Sequence, residues 1–159
     1  MKGDYVIRRA EDIDAKGIHE VLLAAFEEYR DYYSRKGFAD TILSEELAKI
    51  RLVEMRVYVA VSQQGKVIGT VGWEKVRSGE GHIRGMAVHP EWRGRDGPAA
   101  ALLLKVEEDA RTEGCSILTL DTTEFQHRAH RFYEKHGFKR TGKENDFFGS
   151  IVYEFAKEI

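Results

Sequence analysis

A single cysteine, Cys115, leaves no partner for an intrachain disulfide, and no set of His, Cys, Asp and Glu has the spacing of a metal site. A reducing compartment is expected, and no metal is called for. No segment is long and apolar enough to span a bilayer. Residues 1–10 alternate like a strand and carry no apolar signal run, so a soluble, cytoplasmic protein without a membrane partner is expected. Charge of one sign is not in excess either: the formal net charge is -2. A general nucleic-acid binder draws its affinity from a strong basic surplus, so nucleic acid is not an expected partner. Repeats, low-complexity tracts and linkers are absent. With 159 residues, 42% of them hydrophobic, the chain suits one domain over residues 1–159.

What the chain does have is concentrated between Met86 and Gly114. Met86, Ala87 and Val88 end an apolar strand, Pro90 opens a turn, a loop alternates arginine with glycine, and a helix follows. That order builds an anion site. Gly94 and Gly97 let the backbone curl so that N–H groups converge, and the helix beginning near Pro98 aims its unpaired N–H groups and positive dipole end at the same point. Arg93 and Arg95 add charge there. Leu102, Leu103, Val106 and Ala110 mark the buried face of that helix, and Gly114 closes it. The loop is not a nucleotide P-loop, because no G-K-[ST] follows, and G-x-G-x-x-G of the dinucleotide folds is absent.

Around this centre the elements follow from local pattern. Tyr5 to Arg9 reads as a strand, and Asp12 or Asp14 can cap a helix through Ile18, Val21, Leu22, Ala25, Phe26 and Tyr29. Ser44 starts another helix. Between them, Tyr29 to Phe38 crowds aromatics and charges and ends at Gly37; it is either a pocket wall or a helix end whose tyrosines lie on the core. Val57–Ser62 and Lys66–Lys75 are strands about a Q-Q-G turn, and His82–Val88 follows a second turn. Ser116–Asp121 lies one helix further on and can pair parallel with the strand before the loop. Strands near Lys139–Thr141 and Ser150–Phe155 finish the sheet.

Two motifs carry a family resemblance. The loop is similar to V-x-P-x-x-[RQ]-x-x-G-x-[GA], the pyrophosphate loop of the GNAT N-acetyltransferase superfamily, through Val88, Pro90 and Arg93. With one residue inserted at Asp96, Gly97 and Ala99 fill the small positions. The second motif, L-D-T-T-E-F-Q-H-R-A-H-R-F-Y-E-K-H-G-F from Leu120, resembles the late motif N-x-x-A-x-x-[FL]-Y-x-K-x-G-F through Ala129, Phe132, Tyr133, Lys135, Gly137 and Phe138. Gln126 replaces the common asparagine, and Thr123 with Gln126 can form a capping box.

The resemblance implies an α/β (α+β) fold, with a mixed, mostly antiparallel sheet flanked by helices and a parallel pair, strands four and five, splayed into a slot. Acetyl-CoA is the implied co-substrate. Its pantetheine arm would pair with backbone at Met86, Ala87 and Val88, and its pyrophosphate would rest on Arg93, Gly94, Arg95, Gly97 and Ala99. Gln126 either bonds the pantetheine or serves the cap. Tyr133 takes the family's general-acid position. The base is either His82, which falls where some relatives carry a glutamate, or water; Glu80 and Glu124 are lesser candidates.

The implied reaction is direct acetyl transfer to a primary amine of a small molecule or protein. The competing expectation is a catalytically silent acyl-CoA-binding sensor or interaction module, favoured by Asp96 beside the phosphates. In the inserted alignment that carboxylate caps the new helix. A second copy of the chain is a further candidate partner.

Overall fold

The computed structural model describes residues 3–159; Met1 and Lys2 of the alternating N-terminal segment lie outside the described residues. Seven strands make one sheet: β1 (Tyr5–Arg9), β2 (Arg56–Ser62), β3 (Val67–Arg77), β4 (Glu80–Val88), β5 (Ile117–Thr123), β6 (Lys139–Phe147) and β7 (Ser150–Glu158). They lie in the order β1-β2-β3-β4-β5-β7-β6. Among the described residues only β4 and β5 pair parallel, and the crossover between them carries α4. This is the mixed, mostly antiparallel sheet that the two motifs imply.

The helices are α1 (Ala15–Phe26), α2 (Arg35–Ile42), α3 (Glu45–Glu54), α4 (Ala99–Thr112) and α5 (His127–Lys135). They sort onto the two faces of the sheet by what their apolar stripes bury. Leu102, Leu103, Val106 and Ala110 of α4 pack with Ile68, Val71, Trp73, Leu118 and Phe155, and Tyr133 of α5 joins them. On the other face Ile18, Val21 and Leu22 of α1 and Ala48 of α3 pack with Val57, Val59 and Ala87. A fully buried leucine such as Leu102 stabilises the fold by roughly 1.5–3 kcal/mol. Asp109 adds a polar tie: its half-buried carboxylate accepts from the Tyr58 hydroxyl at 2.9 Å, Trp73 Nε1 at 2.8 Å and Arg56 at 3.1 Å, fastening α4 to β2 and β3.

Three local expectations are corrected. Asp14 makes no side-chain cap of α1; it ends a 3-10 turn (Asp12–Asp14), and its carboxylate takes the Glu11 N–H at 2.7 Å and pairs with Arg8 at 2.8 Å. Asp12 stands in that same turn. Gly37 does not end an element but lies inside α2, which Ser34 caps by accepting from the Gly37 N–H at 3.1 Å. The Thr123–Gln126 capping box does not form, because α5 begins only at His127 and the Thr123 hydroxyl is buried without a hydrogen-bond partner among the described residues.

The feature that positions the site is a disagreement between neighbouring strands. β4 pairs with β5 only from Glu80↔Ile117 to Ile83↔Leu120. Beyond that point β4 stays with β3 as far as Gly69↔Val88, while β5 stays with β7 as far as Thr123↔Val152. The parting coincides with a bulge at Gly85, whose φ of 66° is left-handed and suits glycine. Across the bulge the side-chain alternation slips: Ile83 belongs to the α4 face and Ala87 to the α1 face. The slot between the two strands is therefore built by one extra residue in β4.

Candidate active site

Two clefts run into this slot from opposite sides. The larger, about 770 Å3, is bounded by Met86, Ala87 and Val88 on β4, by the loop residues Arg93, Gly94, Arg95, Gly97 and Ala99, and by α5. Its loop is tight. The Gly97 N–H donates to the Gly94 carbonyl at 3.0 Å, and a Cβ on Gly97 would fall 1.9 Å from the Trp92 carbonyl oxygen, so only glycine fits. No side chain caps the start of α4, which leaves its first-turn N–H groups directed at the cleft. The charged side chains lining this cleft are Arg93, Arg95, Arg128 and Lys135, and no carboxylate is among them. The His89 N–H donates to the Ile68 carbonyl on β3 at 2.8 Å, so strand alternation turns the Met86 and Val88 N–H groups the other way, into the slot.

Asp96 and Arg93 stand differently from expectation. Asp96 is exposed at the tip of the Gly94–Gly97 turn, does not line the cleft and caps nothing, since Pro98 takes the N-cap position. Arg93 is half-buried and already engaged. Its guanidinium pairs with Glu28 at 2.9 Å and donates to the Ala25 carbonyl at 3.1 Å, which ties the loop to the C-terminal end of α1. Arg128 reaches the same Glu28 at 3.2 Å.

The second cleft, about 510 Å3, opens on the α1 side and is lined by Tyr33, Asp40 and Thr41, by Arg51, by His82 and Arg84, by Asp121, and by Asp146 and Phe147 of the β6–β7 hairpin. The two clefts share Phe26, Met86, Gln126, Ala129 and Tyr133. Tyr133 is only 6% exposed, yet its hydroxyl has no hydrogen bond among the described residues, so it is not a core tyrosine with a satisfied phenol. Burial pushes its phenol above the ordinary range, which keeps it protonated at neutral pH. The Gln126 side chain, freed of the capping box, is buried against both clefts.

His82 Nδ1 lies 2.7 Å from the Thr119 hydroxyl, which in turn lies 3.5 Å from Glu80 Oε2 as a donor. When the hydroxyl gives its proton to Glu80 it accepts from His82 Nδ1, and in that tautomer Nε2 offers its lone pair to the cleft. Asp121 stands 3.7 Å from Nε2. Burial lowers the His82 pKa below its ordinary value and raises that of Asp121, with the attraction between the two opposing both shifts. Glu80 reaches His82 only through Thr119, and Glu124 is exposed; neither lines a cleft. His130 is occupied by the Thr123 carbonyl at 2.9 Å.

Sequence reasoning passed over Arg51, Arg84 and Asp121. Arg84 was within reach, since period-two alternation puts it on the same face of β4 as His82. Arg51 was not, because its neighbourhood is made by packing α3 across β4.

A model of the acetyltransferase (GNAT) family matches residues 17–138. The chain is 35% identical over 127 residues to an N-acetylaspartate synthetase of Danio rerio, an overlap covering 74% of this chain and 44% of that protein. It therefore spans less than half the length of that relative. With an aminoalkylphosphonate N-acetyltransferase of Salmonella typhimurium it shares 26% identity over 141 residues, 85% of each chain. Its fold is that of the PaiA N-acetyltransferase of Thermoplasma acidophilum, solved in complex with coenzyme A: the TM-score is 0.82 at 20% identity, over 98% of this chain and 99% of the other. With the loop, the splayed strands and the late helix all in place, the chain belongs to the acetyltransferase (GNAT) family.

Proposed function

We propose that the protein transfers the acetyl group of acetyl-CoA to a primary amine. The observation that carries this reading is the meeting of the two clefts at Tyr133, where a donor entering along β4 and an acceptor entering from the α1 side would come face to face. The names of the two relatives, both N-acetyl-transferring or N-acetyl-forming enzymes, agree with it. So does the ligand of the PaiA structure.

The larger cleft suits coenzyme A in three respects. Its charged lining is entirely basic, as a pyrophosphate requires; its small-residue turn leaves N–H groups exposed; and β4 offers an unpaired edge to a chain of amides. Acetyl-CoA supplies an activated acetyl thioester and a thiolate that leaves. His82 Nε2 removes a proton from the acceptor ammonium, directly or through one water, and Asp121 stabilises the imidazolium that results. The amine nitrogen then forms its bond to the acetyl carbon as the carbon–sulfur bond breaks. Tyr133 gives its phenolic proton to the departing sulfur, and the second proton, shed by the new amide nitrogen, restores the phenol directly or through water, so that free thiol, amide and one proton on His82 are the products. The Met86 and Val88 N–H groups are fixed dipoles available to the acyl oxygen, and holding both reactants in one slot supplies much of the acceleration.

The test is incubation with acetyl-CoA and a panel of primary amines, following thiol release and the mass of the amine. Acetylated amine formed in step with thiol supports the reading. Tight coenzyme A binding with no thiol release for any amine would instead favour a ligand sensor.

A further inference from the structure

Four arginines are half-buried among the described residues: Arg8, Arg51, Arg56 and Arg93. Three are answered by carboxylates, Arg8 by Asp14 at 2.8 Å, Arg56 by Asp109 at 3.1 Å and Arg93 by Glu28 at 2.9 Å. Arg51 alone has no carboxylate oxygen within 4.0 Å. Its strongest charged influence is unfavourable and comes from Arg84, which lines the same wall of the second cleft. Asp40, Glu54 and Glu74 attract it only from beyond ion-pair distance. Arg84 likewise has no carboxylate oxygen within 4.0 Å among the described residues, and Asp121 acts on it only from further off.

The fold makes room for this arrangement. A Cβ on Gly85 would fall 2.5 Å from Arg51 Nη1, so the glycine that bulges β4 also leaves space for the guanidinium. Asp40, Asp121 and Asp146 line the same cavity, but none lies within 4.0 Å of either guanidinium, so the two cations, one of them partly desolvated, lack a directly bonded anion until one joins them. Guanidinium groups match the planar or tetrahedral oxygens of acid groups with paired hydrogen bonds.

We propose that the acceptor is a small primary amine that also bears an acid group, carboxylate or phosphate-like, and that Arg51 and Arg84 hold that group. The assignment rests on the acetyl-transfer reading and deepens it. Arg84 and His82 are two residues apart on one face of β4, roughly 7 Å along the strand. A short chain spans that interval, placing the acid on the arginines and the amine beside His82 and Asp121. Protein lysines, which carry no nearby acid of fixed position, are disfavoured by the same geometry.

The test compares acid amines with their neutral counterparts: glycine, β-alanine and 4-aminobutyrate against their amides, and O-phosphoethanolamine against ethanolamine. For at least one pair the acid form should have the higher kcat/KM by about ten- to a hundredfold, the weight of charge-assisted hydrogen bonds, carried mostly by KM. In Arg51→Gln and Arg84→Gln that ratio should fall towards one, and Arg51→Lys should restore part of it. Thermal unfolding of each variant shows that it is folded. Calorimetric titration of the same acid amines into the parent and Arg51→Gln proteins needs no turnover. If acid amines bind in an arginine-dependent way but nothing is acetylated, the acid site stands and the acetyl-transfer reading falls. If neutral amines are acetylated as well as or better than every acid amine, or the preference survives both substitutions, the acid site is wrong and the transfer reading stands.

Discussion

The Nδ1 atom of His82 and the hydroxyl of Thr119 are 2.7 Å apart across the parallel pair β4–β5, in the last stretch where those strands touch. The contact fixes which imidazole nitrogen faces the acceptor cleft. Because burial lowers the His82 pKa, the neutral form should persist below pH 6.5, and activity should fall only as the pH drops through that lowered value. His82→Gln is expected to remove this acid limb and slow turnover at neutral pH by about ten- to a thousandfold. Thr119→Val, which loses the orienting hydroxyl, should slow it less and move the limb. Overlaying profiles for parent and His82→Gln would assign the proton to water.

Tyr133→Phe should leave coenzyme A affinity nearly unchanged and reduce kcat by about ten- to ten-thousandfold, the reach of a positioned proton donor. Its raised pKa keeps the phenol protonated through neutral pH, so Tyr133 should contribute no alkaline limb below about pH 10. Single-turnover measurements, which isolate the chemical step, decide the point; an unchanged rate there removes the acid role.

Tyr33 and Tyr32 are adjacent but separable. Tyr33 lines the acceptor cleft, whereas Tyr32 is 65% exposed and stacks on Phe125 with ring centroids 5.2 Å apart. Tyr33→Ala is therefore expected to raise the acceptor KM severalfold or more with little change in that for acetyl-CoA. Tyr32→Ala should change neither by more than about twofold. Steady-state kinetics with each substrate varied in turn gives the answer, and equal effects from both residues would mean that the segment acts only by packing.

In the phosphate loop, Asp96→Asn should alter stability by no more than about 0.5 kcal/mol, since the side chain is exposed and caps nothing. It should tighten coenzyme A binding modestly at low salt, a gain that shrinks as salt screens it. Arg93→Ala should act on both quantities, losing on the order of 1 kcal/mol of stability through Glu28 and Ala25 and weakening coenzyme A binding. Denaturant melts and calorimetry at two ionic strengths measure these effects. Weaker binding by Asp96→Asn would show that its carboxylate orders the loop.

Much of the sheet was legible because alternation and turn chemistry are local. Tyr5–Arg9 is β1 to the residue, and Val57–Ser62 and His82–Val88 fall within β2 and β4. The errors share one cause. Asp14, Asp96 and Thr123 each carry a side chain suited to capping, but the helices start where tertiary packing places them, and none of the three side chains caps the α-helix that follows it. α2 was hidden by Gly37, a residue that reads as a stop. There a Cβ would meet Ser34 Oγ at 3.1 Å and Phe148 Cβ at 3.3 Å, so the glycine answers to crowding by the distant β6–β7 turn. In the site, the loop and Tyr133 were readable from contiguous motifs. The meeting of Arg51 with Arg84 was not, since residues 33 positions apart are joined only by the packing of α3 over the bulge.

The parting of β4 from β5 also bears on how the protein avoids its own kind. Unpaired strand edges invite pairing with other chains, and a sheet normally has two of them, at its rims. Here the rims are β1 and β6, and β6 is almost wholly exposed but studded with Lys139, Arg140, Lys143, Glu144 and Asp146, charges that discourage a stacked copy. The splay creates two further edges in the middle of the sheet, walled by α5 and the Gly94–Gly97 turn. An intruding strand would need to thread end-on between them, while a slender chain of amides can slide in. A sticky backbone surface is thereby available to a small guest and withheld from aggregation.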